Sequence, residues 1–199
     1  GGSPTGDNIT EVAAILHDGR QELDRWVRLI RPARPIPPGI TRLTGIDDHM
    51  VAGAPEFEAL AEDLHTFLGD AVFVAHNVSF DLRHLQAGFK AAGLHYNPRR
   101  LCTVRMSRKW LKGPHRYSLG ALCEYFDIDN EAHHRAWGDA AATAELFAKL
   151  WKDHAADMAL GSTVAYHGRP GGTRRCAHGA SAGTAKLEPA AGEHPEGRR

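Results

Sequence analysis

Two helices in this chain open with a carboxylate on the side that has to face the core, and few folds can accommodate that. The first follows Ala71-Val72-Phe73-Val74-Ala75, a short apolar run with the pattern of a buried strand. His76-Asn77-Val78-Ser79-Phe80-Asp81 comes directly after it. Asn77 or Ser79 can cap the helix that starts there, and Asp81, Leu85 and Phe89 share one of its faces. The second is His134-Arg135-Ala136-Trp137-Gly138-Asp139, opening a helix that runs on through Leu146, Phe147, Leu150 and Trp151. At helical spacing Asp139, Thr143, Leu146 and Leu150 form one stripe, and its large apolar members turn the whole stripe, Asp139 included, toward the core.

An inward carboxylate needs a cation or several donors, because an unpaired buried charge is costly and the group otherwise takes up a proton. The helix macrodipole offers only about 0.3–1 kcal/mol, too little to hold the charge alone. Either acid by itself is equally well a helix-start ion pair with an arginine. Two of them at strand-to-helix junctions, with His134 beside one, describe a site for hard cations.

The rest of the chain supplies a sheet. Residues 9–16 and 23–30 read as a hairpin around Asp18-Gly19. Pro32, Pro35, Pro37 and Pro38 exclude regular structure from the connector that follows. Phe57, Leu60, Ala61, Leu64, Phe67 and Leu68 then repeat at helical spacing up to Gly69. The strand at 71–75 and a helix at 79–92 follow, with an edge strand at 101–104 and helices through Trp110 and over 118–126. This alternation predicts an α/β fold, a mixed sheet with helices on both faces.

Residues 1–154 are expected to form the folded domain and 155–199 a disordered tail, since 161–199 are rich in Gly, Ala, Pro, His and Arg and carry few large apolar side chains. His167, Cys176, His178 and His194 in that tail lack the ligand spacing of a structural zinc site. Lys plus Arg and Asp plus Glu each total 24, so no overall field attracts nucleic acid and any such binding needs a local patch or a bound metal. The odd, scattered cysteines Cys102, Cys123 and Cys176 argue against a disulfide framework and fit a reducing cytoplasm. No apolar run approaches the roughly 18–20 residues that span a bilayer, so no membrane association is expected.

His76-Asn77, Phe80-Asp81, and His134 with Ala136 and Asp139 resemble the second and third motifs of the DEDDh exonucleases, the family that includes the proofreading epsilon subunit of bacterial DNA polymerase III. The resemblance extends from Gly1 to about Trp151 through Pro37-Pro38-Gly39-Ile40, Leu43-Thr44-Gly45-Ile46 and the stretch from Ser118-Leu119 to Tyr125-Phe126. It implies a ribonuclease H-like fold. It also implies a first motif, Asp-x-Glu-Thr-Thr-Gly, whose final glycine matches Gly1, so that two of the family's four acids and the central strand bearing them are absent from these residues. Without that strand the hairpin and the 71–75 strand should each present an open edge, and the polypeptide should be poorly stable.

The family chemistry implied is 3′-to-5′ hydrolysis of nucleic acid, DNA more than RNA, with two Mg²⁺ or Mn²⁺ ions. By resemblance Asp139 would serve the first metal and Asp81 the second, and His134 would act as general base. Leu43, Ile46 and Phe80 match positions that wedge against terminal bases, and His76 and Asn77 belong to the same nucleic-acid-binding motif. The implied partners are a single-stranded DNA or RNA 3′ end and a DNA polymerase subunit. From the residues themselves, the run with Arg99, Arg100, Arg105, Arg108, Lys109, Lys112 and Arg116 contains no acid and is interleaved with Trp110 and Tyr117. That composition suits either a groove for single-stranded nucleic acid or a solvated helix face. Glu11, on the first hairpin strand, reads as a salt-bridge residue rather than a substitute metal ligand. With two family acids absent, the alternative is a catalytically impaired module that binds nucleic acid or a polymerase.

Overall fold

The computed structural model describes residues 9–130, 134–160 and 182–187, with side chains described up to residue 154. Strands β1 (Glu11–His17) and β2 (Glu22–Leu29) form the expected antiparallel hairpin. Its turn spans residues 18–21 because the Asp18 carboxylate accepts from the amides of Arg20 and Gln21 at 2.7 and 2.8 Å. Gly19 takes φ +92°, a conformation that favours glycine.

The proline-rich connector departs from the sequence expectation. It stays irregular as far as Pro37, then Pro38 opens a short helix, α1 (Pro38–Thr44). Proline is tolerated at a first helical position because its missing N–H would have had no partner there. A single turn, α2 (Asp48–Val51), follows, with the Asp47 side chain accepting from the Met50 amide. Helix α3 (Phe57–Leu68), strand β3 (Val72–Ala75), helix α4 (Val78–Ala91) and strand β4 (Arg100–Cys102) lie within a residue or two of their predicted limits. Helices α5 (Thr103–Trp110), α6 (Leu119–Phe126) and α7 (Ala136–Leu160) complete the order, and α7 has a non-helical residue at His154.

The tail brings the main correction. Far from lacking structure throughout, residues 155–160 continue α7 and Ala182–Leu187 form a strand, β5. The five-stranded sheet has the order β2-β1-β5-β3-β4, so β5 fills the gap between the hairpin and β3 that was expected to stand open. It pairs with β1 in parallel over Val12 to His17 and with β3 antiparallel over Val72 to Val74. Composition misjudged this segment because a strand between two open edges is held by backbone hydrogen bonds, which depend little on apolar side chains. Residues 1–8, His133 and the tail residues His167, Cys176, His178 and His194 lie outside the described residues.

Both faces of the sheet are covered. On β1, Val12 and Ala14 pack with Trp26, Phe57, Leu64, Leu85 and Phe89 under α3 and α4, while Ala13 and Ile15 pack against Ala136 and Ala140 of α7. Val74 joins Leu122, Leu146, Phe147 and Leu150 on that second side. Glycine at position 88 lets α3 and α4 meet: a Cβ there would lie 2.5 Å from the buried Phe57 ring. Glu11 shares the α7-facing side of β1 with Ala13 and Ile15, which matters for the site.

A proline in β5 should expose how much the sheet relies on it. Thr184 pairs with Ala14. Thr184→Pro removes a ladder hydrogen bond from an interior strand and is expected to lower Tm by several degrees, with amide-exchange protection lost in β1 and β3. Unchanged melting and protection would show that the sheet does not depend on β5.

Candidate active site

Asp81 lies in the first turn of α4, directly beyond the end of β3, and is 5 % exposed. Asn77 occupies the position before the helix with φ +73° and makes no side-chain cap. The side-chain cap expected from Asn77 or Ser79 is therefore not formed, and Ser79 lies within the helix. Burial raises the Asp81 carboxyl well above the ordinary range, its own backbone amide opposes that shift, and the charge of Asp139 adds to it. The N-terminal dipole of α4 is outweighed by desolvation. Asp81 and Asp139, though 58 positions apart in sequence (139 − 81), are thus close enough for each to feel the other's charge.

Asp139 sits in the first turn of α7 and accepts from the His134 amide through Oδ1 at 3.4 Å. His134 holds a left-handed backbone, φ +70°. This conformation costs a non-glycine residue of order 1 kcal/mol and needs support. Next to it in space lies Glu11 of β1, which is 2 % exposed. Arg135 donates to it from Nε and Nη2 at 3.1 and 2.7 Å, and the Ala136 amide donates at 2.7 Å. Sequence reasoning anticipated Glu11 as a salt-bridge residue but missed that the bridge lands on the residue next to His134. The available signal was its inward register on β1.

The other expected nucleic-acid-binding positions divide. His76 has both ring nitrogens engaged: Nε2–H donates to the Tyr117 carbonyl at 3.0 Å, and Nδ1 pairs with the Thr103 hydroxyl at 2.9 Å. Burial, against the Tyr117 hydrogen bond and aided by Arg108, pushes its pKa down to about 4. The neutral ring ties the end of β3 to α5 and the segment before α6. Ile46 is 1 % exposed and packs with Ile36 and Val51. Leu43 and Phe80 are half-buried and Asn77 is exposed, so these three keep accessible surface. Phe80 lies against the His84 ring, centroids 4.6 Å apart.

Arg105, Arg108 and Lys109 are exposed on α5, and the influence of Arg108 on His76 places that helix beside the end of β3. The aromatic groups within this strip are engaged inside the protein. Trp110 stacks on His154 at 4.6 Å and Lys109 lies over the Trp110 ring, while Arg108 lies over Tyr117. Base stacking on either ring would have to displace these contacts.

A buried carboxyl beside a second, half-buried one suits a hard divalent cation, which would offset both the desolvation and the repulsion. Asp81 and Asp139 are the residues that would hold it. No group of three or more His, Cys, Asp and Glu side chains stands ready for a metal among the described residues, so these two acids make a partial cage.

The exonuclease family model (RNase_T) matches residues 1–147. A PolC-type DNA polymerase III of Halalkalibacterium halodurans is 40% identical over 149 residues, covering 74% of this chain and 10% of that protein. The chain therefore spans about a tenth of that curated relative. Exonuclease X, solved in complex with 5′ overhanging duplex DNA, is similar in structure with a TM-score of 0.63 and 28% identity, covering 77% of this chain and 87% of that one. The nuclease domain of 3′hExo, a DEDDh family member bound to rAMP, shares the fold at a TM-score of 0.58 and 14% identity, covering 73% and 93% of the two chains.

The raised Asp81 carboxyl makes a prediction about pH. A folded pKa above the unfolded one leaves stability intact below the ordinary carboxyl value and removes it as pH rises through the folded value. Asp81→Asn, neutral throughout, is expected to melt several degrees above the parent at pH 8 in EDTA, with the gap closing by pH 4. Magnesium or manganese should narrow the gap at pH 8 by stabilising the parent alone. A variant less stable than the parent at pH 8 would mean that the charge is already compensated within the protein.

Proposed function

The chain belongs to the exonuclease family whose model it matches over residues 1–147, and from that premise we propose that it removes nucleotides from the 3′ end of single-stranded nucleic acid, DNA in preference to RNA, using Mg²⁺ or Mn²⁺. The fold is the ribonuclease H-like one of its DEDDh structural neighbours. The observation that carries the reading is the electrostatic coupling of Asp81 with Asp139, whose carboxylate also receives the His134 amide.

Each residue then has a task. Asp81 and Asp139 would hold the cations, Asp139 the first and Asp81 the second, and divalent ions there would supply positive charge to the scissile phosphate and acidify water. His134 would be the general base taking a proton from the attacking water, a role suited to imidazole, which ordinarily titrates near neutrality. Leu43 and Phe80 offer apolar surface for the terminal bases, with Asn77 beside them. Arg105, Arg108 and Lys109 draw in the phosphate backbone, a contribution that should weaken steeply with salt. Association with a DNA polymerase is proposed from the PolC-type relative, of which this chain matches a tenth.

A second reading has its own observation. Arg105, Arg108 and Lys109, exposed on α5, can hold a phosphate backbone whether or not the strand is cut, which suits a module that binds nucleic acid without cutting it. A 5′-labelled single-stranded DNA, and its RNA counterpart, incubated with the full chain and Mg²⁺ or Mn²⁺ separates the two. Progressive shortening from the 3′ end, lost in Asp139→Ala and slowed about 10²- to 10⁴-fold in His134→Ala, is the expected result. Binding with no shortening would overturn the exonuclease reading in favour of the module.

A further inference from the structure

Glu11 and Arg135 form a buried clamp that the catalytic roles above leave unused. The Glu11 carboxylate is 2 % exposed, whereas the Arg135 side chain is 32 % exposed. The fork of the guanidinium meets both carboxylate oxygens, and Oε2 also takes the Ala136 amide at 2.7 Å. These bonds join the start of β1 to the start of α7 across more than a hundred residues of sequence. They land on the two residues that follow His134, whose backbone has φ +70°, and on the C-terminal side of that turn Asp139 accepts the His134 amide.

A left-handed histidine is held by what surrounds it rather than by its own preference. Here the Arg135 side chain and the Arg135–Ala136 peptide, the second after His134, are fastened to β1, and the peptide before His134 is fastened to Asp139. We propose that Glu11 is a positioning residue: through Arg135 and the Ala136 amide it holds His134 in register with Asp139 and Asp81. The proposal rests on the exonuclease reading for its kinetic consequence and on geometry alone for its structural one. A buried ion pair that merely held the fold together would have no reason to single out His134. Outer-shell groups that orient a functional side chain are typically worth about 10- to 100-fold in activity or metal affinity.

The test uses the full chain and three changes: Glu11→Gln, Glu11→Gln with Arg135→Met, and Glu11→Gln with His134→Ala. The glutamine keeps the shape and one acceptor for the Ala136 amide but confronts the guanidinium with an NH₂ group. Pairing it with Arg135→Met removes that conflict and the buried charge together, so that this variant keeps the stability of the parent. Nucleotide release should fall about 10- to 100-fold in kcat for both Glu11 variants, with KM within a factor of about two. In the His134→Ala background the glutamine change should cost nothing further. ¹³C relaxation of the His134 ring, which needs no turnover, should report a rigid ring in the parent and a mobile one in both Glu11 variants. An equal loss of activity with and without His134, or a His134 ring equally rigid in the Glu11 variants, overturns the clamp. If the parent releases no nucleotide at all, the exonuclease reading fails while the ring measurement still decides the positioning role.

Discussion

Asp81 is buried within reach of the charge on the half-buried Asp139, and their repulsion is the constraint around which the rest is arranged. A protein has three ways to keep a carboxylate out of water: surround it with donors, protonate it, or neutralise it with a cation. Glu11 shows the first, with a bidentate guanidinium and a backbone amide on its oxygens. Asp81 has its own amide for help and a second carboxylate for a neighbour, and its raised pKa records the imbalance. Two buried acids on one chain are thus treated in opposite ways, and that contrast is what supports reading Asp81 as a cation ligand.

The sheet makes such an arrangement affordable. β1 and β3 are buried on both faces, so the ends of these strands are rigid points from which short connections can aim helices. β3 passes into α4 through the left-handed Asn77, and α7 starts against Glu11 of β1. Both helix N-termini converge on the same region, which brings two first-turn acids together without requiring either helix to be distorted. β5 completes the sheet between these strands and closes the hydrogen-bond ladders on which their rigidity depends.

Much of this is legible in the residues. Alternation on β1, the apolar run before His76 and the stripes through Asp81 and Asp139 depend on local periodicity, which sequence displays directly. What the sequence does not display is long-range or steric. His76 and Ile46 stand at motif positions that look available, but Thr103, the Tyr117 carbonyl and the Ile36–Val51 packing occupy them. Trp110 and Tyr117 look like free stacking platforms, yet His154, Lys109 and Arg108 already cover them. In each case the competing partner lies elsewhere in the chain and leaves no trace in the spacing. Residues 182–187 were misjudged for a different reason, since composition measures what side chains can bury and says little about a backbone slot that needs filling.

By itself the sequence determined the order of strands and helices apart from α1, α2 and β5, the inward direction of Asp81 and Asp139, and the kinship that names a chemistry, because all three are written in the pattern of neighbouring residues. Tertiary structure alone decided that the two acids meet, that Glu11 is spent on Arg135 and the Ala136 amide next to His134, and that β5 lies between β1 and β3. Those outcomes turn on which distant groups come within a few ångströms of one another. Hydrogen bonding, burial and charge repulsion act at that range regardless of separation along the chain.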